Sequence, residues 1–326
     1  MKSKILTALR NRDGYVSGQE LCEQFEVTRT AIWKGIKQLK EEGYGIEAVQ
    51  NKGYRLTGCP DTVSGAELKS RMDTKWAGRE VVYLYETDST NNDAKRLAEE
   101  GAKEGTLVVA DFQSGGKGRR GRSWVTPHKA SIAMSIIVKP QIRPDKASML
   151  TLVIGMAAAK AIQKNTGLDA KIKWPNDVVV NGKKVTGILT ELSMEMERIH
   201  YVVIGTGINA NVEAFPEELG GVATSLLLET GKKTDRAAII CDTMKFFEEY
   251  YEKFVQAQDM GPLMEEYNGL LINRNRRVRV LEPGMEFDGT ARGIDELGRL
   301  LVETQDGSVK KIYAGEVSVR GIYNYV

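Results

Sequence analysis

The sequence predicts an α+β chain of three successive units: a helical unit closed by a β-hairpin, a central unit of strands and helices around a mixed sheet, and a small all-β unit. Three observations predict it. Before residue 60, three segments with apolar residues at helical spacing are followed by two short alternating segments. From 63 to 272, apolar runs of strand length alternate with longer helical ones. From Asn273 onward only short strands remain, separated by turn residues. The candidate boundaries are 1–60, 63–272 and 273–326, with Cys59-Pro60-Asp61 as the first linker.

The N-terminal unit reads as follows. Lys2 to Arg10 places Ile5, Leu6 and Leu9 on one helical face. Ser17 is a good N-cap for a second helix, and Glu20 completes a capping box. Thr28 caps a third, Arg29 to Glu42, whose buried stripe is Ile32, Ile36 and Leu39. Gly45–Val49 and Tyr54–Thr57 are joined through Asn51-Lys52-Gly53, a tight turn. This order is the plan of a winged helix-turn-helix. Ser17, Arg29, Thr30, Lys34, Lys37 and Lys52 are the candidate DNA contacts, with the third helix in a major groove and Lys52 at the wing tip. A small protein-docking module with a solvated cationic helix is the alternative, since fold does not fix function.

The central unit is organised around Gln113 to Trp124, which holds four glycines and four cations. Glycine disfavours both helix and strand but permits close backbone approach to a ligand. Bare amides flanked by Lys117, Arg119, Arg120 and Arg122 predict a cradle for phosphate or carboxylate. The apolar run Leu107 to Ala110 before it reads as the buried strand that delivers the loop. Gly116-x-Gly118-x-x-Gly121 fits a dinucleotide fingerprint literally, but no helix follows it; Lys117 is not followed by Ser or Thr, so a Walker A loop fails too. Glu80–Glu86 predicts a strand, and Thr87 to Asn92 a polar turn opening a helix, with Ser89 or Thr90 as N-cap or ligand contact. Ser131–Lys139 is a further strand and Asp145–Asn165 one long apolar helix. Asn181-Gly182 is a hairpin turn. Lys184 then enters an otherwise apolar strand, where its amine needs an anionic partner or a route to water. His200–Gly205 is a strand, and Asp235–Gln258 an amphipathic helix. In the last unit Arg277–Leu281, Glu286–Ile294, Leu300–Glu303 and Val309–Tyr313 have the strand number and spacing of an SH3-like barrel.

Composition narrows the chemistry. The chain has 326 residues, 41% of them hydrophobic and 28% charged, with a net charge of +2, so contact with nucleic acid must be local. Cys22, Cys59 and Cys241 are scattered, which suits a reducing cytoplasm and no zinc pattern. Two histidines leave little room for a Ser-His triad. The apolar run around Met149 to Ala159 is too short to cross a bilayer, and the N-terminal one is too short for a signal peptide, so no membrane partner is expected.

These segments together resemble the biotin protein ligases that double as biotin operon repressors, over essentially the whole chain. The match is carried by Asp88-Ser-Thr-Asn91, Gln113, Gly116-Lys-Gly-Arg-Arg-Gly-Arg122 with Trp124, Lys173-Trp-Pro-Asn-Asp177, Lys184 with Gly187-Ile-Leu, Gly205-x-Gly-Ile-Asn209 and Gly315-Glu-x-Ser-x-Arg320. One departure is Lys117, where the family often has Arg: charge is kept but the planar fork is lost. The resemblance implies a class II synthetase-like central domain. It implies ATP and biotin as substrates with Mg²⁺, and a carboxyl carrier protein of acetyl-CoA carboxylase or a related carboxylase as acceptor. It also implies operator DNA as a partner, and a homodimer when the adenylate is bound. By the same resemblance Ser89, Thr90, Asn91, Gln113, Gly116, Lys117, Gly118, Arg119 and Lys184 line the biotin and adenylate site. Gly205 to Ile208, with Gly207 among them, form its wall, and Gly187 and Asn209 also contact the ligand. Arg119, Arg122 and Lys184 meet carboxylate and phosphates, Trp124 stacks near adenine, Asp177 orients the incoming lysine or the metal, and Arg320 reaches the nucleotide with Glu316 assisting. A biotin-sensing repressor without catalysis and a lipoate-ligase relative are the competing readings.

Overall fold

The computed structural model describes residues 1–281, 286–313, 318–321 and 325, the side chains of 318–321 excepted. The N-terminal unit has the expected order: α1 (Lys2–Arg10), α2 (Gly18–Phe25), α3 (Arg29–Glu41) and the antiparallel hairpin β1 (Gly45–Val49) and β2 (Gly53–Gly58). Ile5, Leu6, Leu9, Leu21, Ile32, Ile36 and Leu39 form its core. Ser17 caps α2 by accepting from the Glu20 amide, but Glu20 does not complete a capping box; its carboxylate pairs with Arg12 instead. Thr28 caps α3 as expected.

The central unit opens with α4 (Gly65–Arg71) and is built on a seven-stranded mixed sheet. Its elements are β3 (Val81–Leu84), α5 (Thr90–Glu99), β4 (Leu107–Ala110), β5 (Ile132–Val138), α6 (Leu150–Thr166), β6 (Lys171–Lys173), β7 (Asp177–Val180), β8 (Lys183–Glu195), β9 (Arg198–Ile208), α7 (Leu226–Thr230), α8 (Arg236–Ala257) and α9 (Gly261–Leu270). Strand order is β3-β4-β5-β9-β8-β7-β6; β3 and β4 run parallel and every other pair antiparallel. Alternation along the strands splits the core. Val109, Ile136, Val202 and Ile204 join the large core containing α6 and α8, whereas Val108, Ile137 and Val203 pack with Ala94 and Ala98 of α5. The single helix expected over Asp145–Asn165 is two elements. A 3₁₀ segment covers Pro144–Met149, and the α-helix begins only at Leu150. Apolar periodicity does not distinguish an i+3 from an i+4 turn over six residues.

The last unit is a five-stranded antiparallel sheet, order β13-β12-β11-β10-β14, from β10 (Arg277–Leu281), β11 (Phe287–Ile294), β12 (Leu300–Glu303), β13 (Val309–Ile312) and β14 (Ser318–Gly321). Four of these strands were expected; β14 is an addition. The Pro283-Gly284 turn and the Gly315-Glu316 dipeptide lie outside the described residues.

Two buried polar clusters tie the N-terminal unit and the linker to the central unit. Glu67, on α4 and fully buried, accepts from Arg10 Nη2 (2.6 and 2.8 Å), Tyr44 Oη (2.6 Å) and Arg71 Nε (2.6 Å). Burial and this carboxylate push the Tyr44 phenol up. Arg236, also fully buried at the start of α8, donates to Asp61 in the linker (2.9 and 3.2 Å) and to Asp111 after β4 (3.0 Å). Apart from Arg71, one helical turn from Glu67, the partners lie far away along the chain, which hid both clusters from the sequence.

Candidate functional site

The site lies on the α5 face of the sheet. The pairings of β5, β9 and β8 align Ser135, Gly205 and Leu189 in one row, and Ala133, Gly207 and Gly187 in the next. Small residues here are a requirement of space. A Cβ on Gly205 would lie 2.1 Å from Asn91 Oδ1, one on Gly207 2.5 Å from the Trp124 ring, and one on Gly187 2.9 Å from the same ring. Ser135 interrupts an apolar strand, and its hydroxyl lies 2.8 Å from Thr90 Oγ1 and 2.6 Å from Asn91 Oδ1, with one proton to share between them. That lone polar residue in Ile132–Val138 was the signal that could have marked it.

Ser89, Thr90 and Asn91 start α5 at this floor. Ser89 does not act as the side-chain cap of α5. Instead Gln113 Oε1 accepts from the Thr90 amide (2.8 Å) and the Thr90 hydroxyl (3.0 Å), so a side chain from the glycine-rich loop holds the helix start. Asn91 also donates to Glu191 (2.7 Å), which pairs with Lys95 (2.8 Å). Burial pushes the Glu191 carboxyl up, but the bonds from Lys95 and Asn91 outweigh it and hold the group below its usual range.

The glycine-rich loop is a closed hairpin. Gly118 N–H donates to the Arg122 carbonyl (2.7 Å), Trp124 N–H to Gly116 (2.8 Å) and Gly115 N–H to Asp88 (2.8 Å). This corrects the expectation of a cradle of bare amides: with Ser114 N–H on the Thr87 carbonyl and Arg122 N–H on Arg119, five of them are committed within the protein. Arg120 and Gly121 turn the loop with φ of 58° and 71°. Arg119 reaches back to Asn176 Oδ1 (3.0 Å); burial pulls its pKa down and the charge of Asp177 opposes the shift. Lys117 donates to Asn92 (3.1 Å), and Arg122 is exposed.

Trp124 folds over the floor. It rests on Gly187 and Gly207, and its indole N–H is buried with no acceptor among the described residues. The cavity left between Ser89, Thr90, Gln113, Lys117, Trp124, Leu189 and Gly205 is about 30 Å³. That holds about one water, against the ~300 Å³ or more of a typical small-molecule site. A ligand on this floor must therefore displace the indole.

At the mouth, Lys184 Nζ lies 2.6 Å from Asp177 Oδ1, an ion pair without the alignment of a hydrogen bond, and 5.5 Å from the Trp124 ring. The lysine thus has the anionic partner that its apolar strand demanded. Asp177 also accepts from Tyr325 Oη, and Lys173 Nζ sits 3.2 Å from the centre of the Tyr325 ring. Ile208 and Asn209 are placed differently from Gly205 and Gly207. The Ile208 side chain is in the core on the opposite face, and Asn209 donates to the Thr224 carbonyl (3.1 Å). Arg320 is in β14 opposite Arg279; its side chain and Glu316 lie outside what is described. No three His, Cys, Asp or Glu converge among the described residues.

On the N-terminal unit, Thr30, Lys34 and Lys37 form one exposed face of α3. Trp33, 55% exposed, lies on the same face with Lys37 5.6 Å from its ring; the charge pattern drew attention away from it. Arg29 is tied to Gln19 (2.9 Å), and Lys52 on the wing lies 5.8 Å from the Tyr15 ring. No helix among the described residues is long and apolar enough to cross a membrane.

Residues 83–209 match the Biotin/lipoate A/B protein ligase family, residues 2–55 the HTH domain, and residues 275–320 the Biotin protein ligase C terminal domain. The chain is 41% identical over 309 residues to the bifunctional ligase/repressor BirA of Bacillus spizizenii, with 94% of each chain covered. It is 32% identical to the protein of that name from Escherichia coli, covering 97% of this chain and 96% of that one. Among solved structures, the biotin protein ligase from Aquifex aeolicus in complex with biotin and ATP is 31% identical, with a TM-score of 0.65 over 74% of this chain and 99% of that chain.

Proposed function

The chain belongs to the biotin protein ligase family in its bifunctional ligase/repressor form, and from that premise we propose how its residues serve the two activities. The ligase consumes biotin and ATP. The biotin carboxylate attacks the α-phosphorus, pyrophosphate leaves, and biotinyl-5′-AMP forms. A lysine ε-amine of a carboxyl carrier domain then attacks the acyl carbon and AMP leaves. Both steps move negative charge, so preorganised cations are the expected catalysts.

The observation that carries this reading is the convergence of Ser89, Thr90, Gln113, Lys117 and Trp124 on a glycine floor, with the Lys184–Asp177 pair at its mouth. The hydroxyls and the Gln113 amide bind the polar end of biotin, while Lys184 and Arg119 meet carboxylate and phosphate. Trp124, once lifted from Gly187 and Gly207, covers the nucleotide. Mg²⁺ would be carried by the phosphates, where it would neutralise developing charge, since it takes few protein carboxylates in such sites; Asp177, at the mouth beside Lys184, would orient the incoming lysine or the metal-bound phosphates through that pair. The domains run 1–60, 63–272 and 273–326, and the protein works in the cytoplasm. No observation favours a repressor without catalysis or a lipoate ligase. Incubation with ATP, Mg²⁺, biotin and a carrier domain is expected to add one biotin to the carrier by mass; gain only with lipoate, or no gain, overturns the reading.

The N-terminal unit binds operator DNA through the exposed face of α3 and through Lys52. Residues 1–58 carry ten Lys and Arg against seven Asp and Glu, a modest net +3, so one copy binds weakly and two copies are needed on a two-fold operator. β8 runs on past the end of β7, and beyond Ile188, which Asn176 engages, residues 189–195 have no strand partner on that side among the described residues, an edge able to take a second copy. Adenylate binding orders the loop at 115–122 and lowers the cost of pairing. Sedimentation is expected to show mainly monomer without biotinyl-AMP and more dimer with it, alongside tighter operator binding at the same salt. Equal operator affinity in both states would end the coupling.

A further inference from the structure

We propose that Tyr325 is a positioning residue for the ligase reaction, holding Asp177 so that the carboxylate in turn holds Lys184. The Tyr325 hydroxyl donates to Asp177 Oδ2, and the other oxygen of the same carboxylate lies 2.6 Å from Lys184 Nζ. The two oxygens are thus divided between two partners, and the rotation of the carboxylate is fixed. Below the ring, Lys173 Nζ is 3.2 Å from its centre, and Lys173 is almost fully buried at 4% exposure. A buried ammonium against an aromatic face is a strong cation–π contact because water does not compete. It clamps the ring to the strand that leads into β7.

The arrangement has a consequence for charge. Lys173, Lys184 and Arg119 surround Asp177, which is shared by Lys184 and Tyr325 and felt electrostatically by Arg119. A neutral hydroxyl satisfies Oδ2 without adding a positive charge. Without it, Oδ2 is available to a neighbouring cation, the carboxylate turns, and the Lys184 ammonium moves from its place above Gly187, where a Cβ would stand 3.1 Å from Nζ. Tyr325 comes from the C-terminal unit, so this contact also makes correct seating of that unit a condition for full activity.

The proposal rests on Lys184 acting at the reacting carboxylate and phosphate. Four full-length variants separate the two ideas. Tyr325→Phe keeps the ring over Lys173 and removes only the hydroxyl. Its kcat for pyrophosphate release from ATP and biotin is expected to fall on the order of tenfold, the scale of one hydrogen bond to a charged group, with KM for biotin and the melting temperature nearly unchanged. Asp177→Ala is expected to lower kcat further, and Tyr325→Phe added to it to change nothing more, because the effect runs through Asp177. Full activity of Tyr325→Phe, or losses that multiply in the double variant, overturns the role of Tyr325. Lys184→Met is the control for the underlying reading: if it is active, the assignment of Lys184 fails first, whatever Tyr325 does.

Discussion

Lys184→Met is expected to lower adenylate formation by about two or more orders of magnitude, which corresponds to about 2.7 kcal/mol or more of lost transition-state stabilisation. Methionine keeps the length of the stem and its packing against Gly187, so the change isolates the charge. The ammonium is close to ideal for this role. It is held by Asp177 at 2.6 Å, only a quarter exposed, and beside an aromatic wall, so its field is poorly screened by water. Rapid-quench measurement of biotinyl-AMP decides the matter, with the melting temperature recorded in parallel. Unaltered turnover removes Lys184 from the chemistry. Lys184→Arg supplies the complementary test, since it restores charge but not the compact geometry, and should recover only part of the rate.

The second large effect concerns stability. Arg236→Met is expected to cost about 3–5 kcal/mol, because it strands a buried carboxylate. Asp111, 3% exposed, would keep only the Tyr83 hydroxyl (2.6 Å), and Asp61 would lose three guanidinium bonds, two to its carboxylate and one to its carbonyl. Against a typical total of about 5–15 kcal/mol, such a loss should be plain in a urea melt. Adding Asp111→Asn should recover part of it by removing the orphaned charge. A variant within ~0.5 kcal/mol of the wild type would show that water or rearrangement already compensates the site. Because Asp111 stands two residues before Gln113, weaker biotin binding by calorimetry is expected in the single variant, beyond the loss of folded protein.

The parts legible in the sequence were those with a local signature. Ile32, Ile36 and Leu39 at helical spacing behind Thr28 defined α3, and the Asn181-Gly182 turn defined the β7–β8 hairpin. The glycine-rich loop announced itself by composition, and Lys184 by its discord with an apolar strand. What remained hidden depends on which distant groups meet. Ser135 finds Asn91 across 44 positions and Tyr325 finds Asp177 across 148. The loop amides illustrate a different blindness. Composition indicates that N–H groups lie near a ligand, but not that Arg122, Gly116 and Asp88 carbonyls already accept from them. Side-chain direction was hidden for a related reason: the motif Gly205-x-Gly-Ile-Asn209 is contiguous in sequence, while a strand sends neighbouring residues to opposite sides, and the Ile208 side chain packs in the large core.

The carboxylate of Glu67 bears on how separable the two activities are as inheritable parts. It is fully buried and accepts from Arg10 and Tyr44 of the DNA-binding unit as well as from Arg71 of its own helix. A ligase fragment starting near residue 63 retains the acid and one guanidinium but loses the other two donors, and with them the cover that excludes water. A DNA-binding fragment ending near residue 60 keeps Arg10 and Tyr44 with nothing to receive them. Neither half is a finished protein at that surface. Shedding the N-terminal unit therefore turns a buried, three-donor carboxylate into a hydrated one paired with Arg71 alone, so that a single side chain marks the joint between an enzyme and a gene regulator.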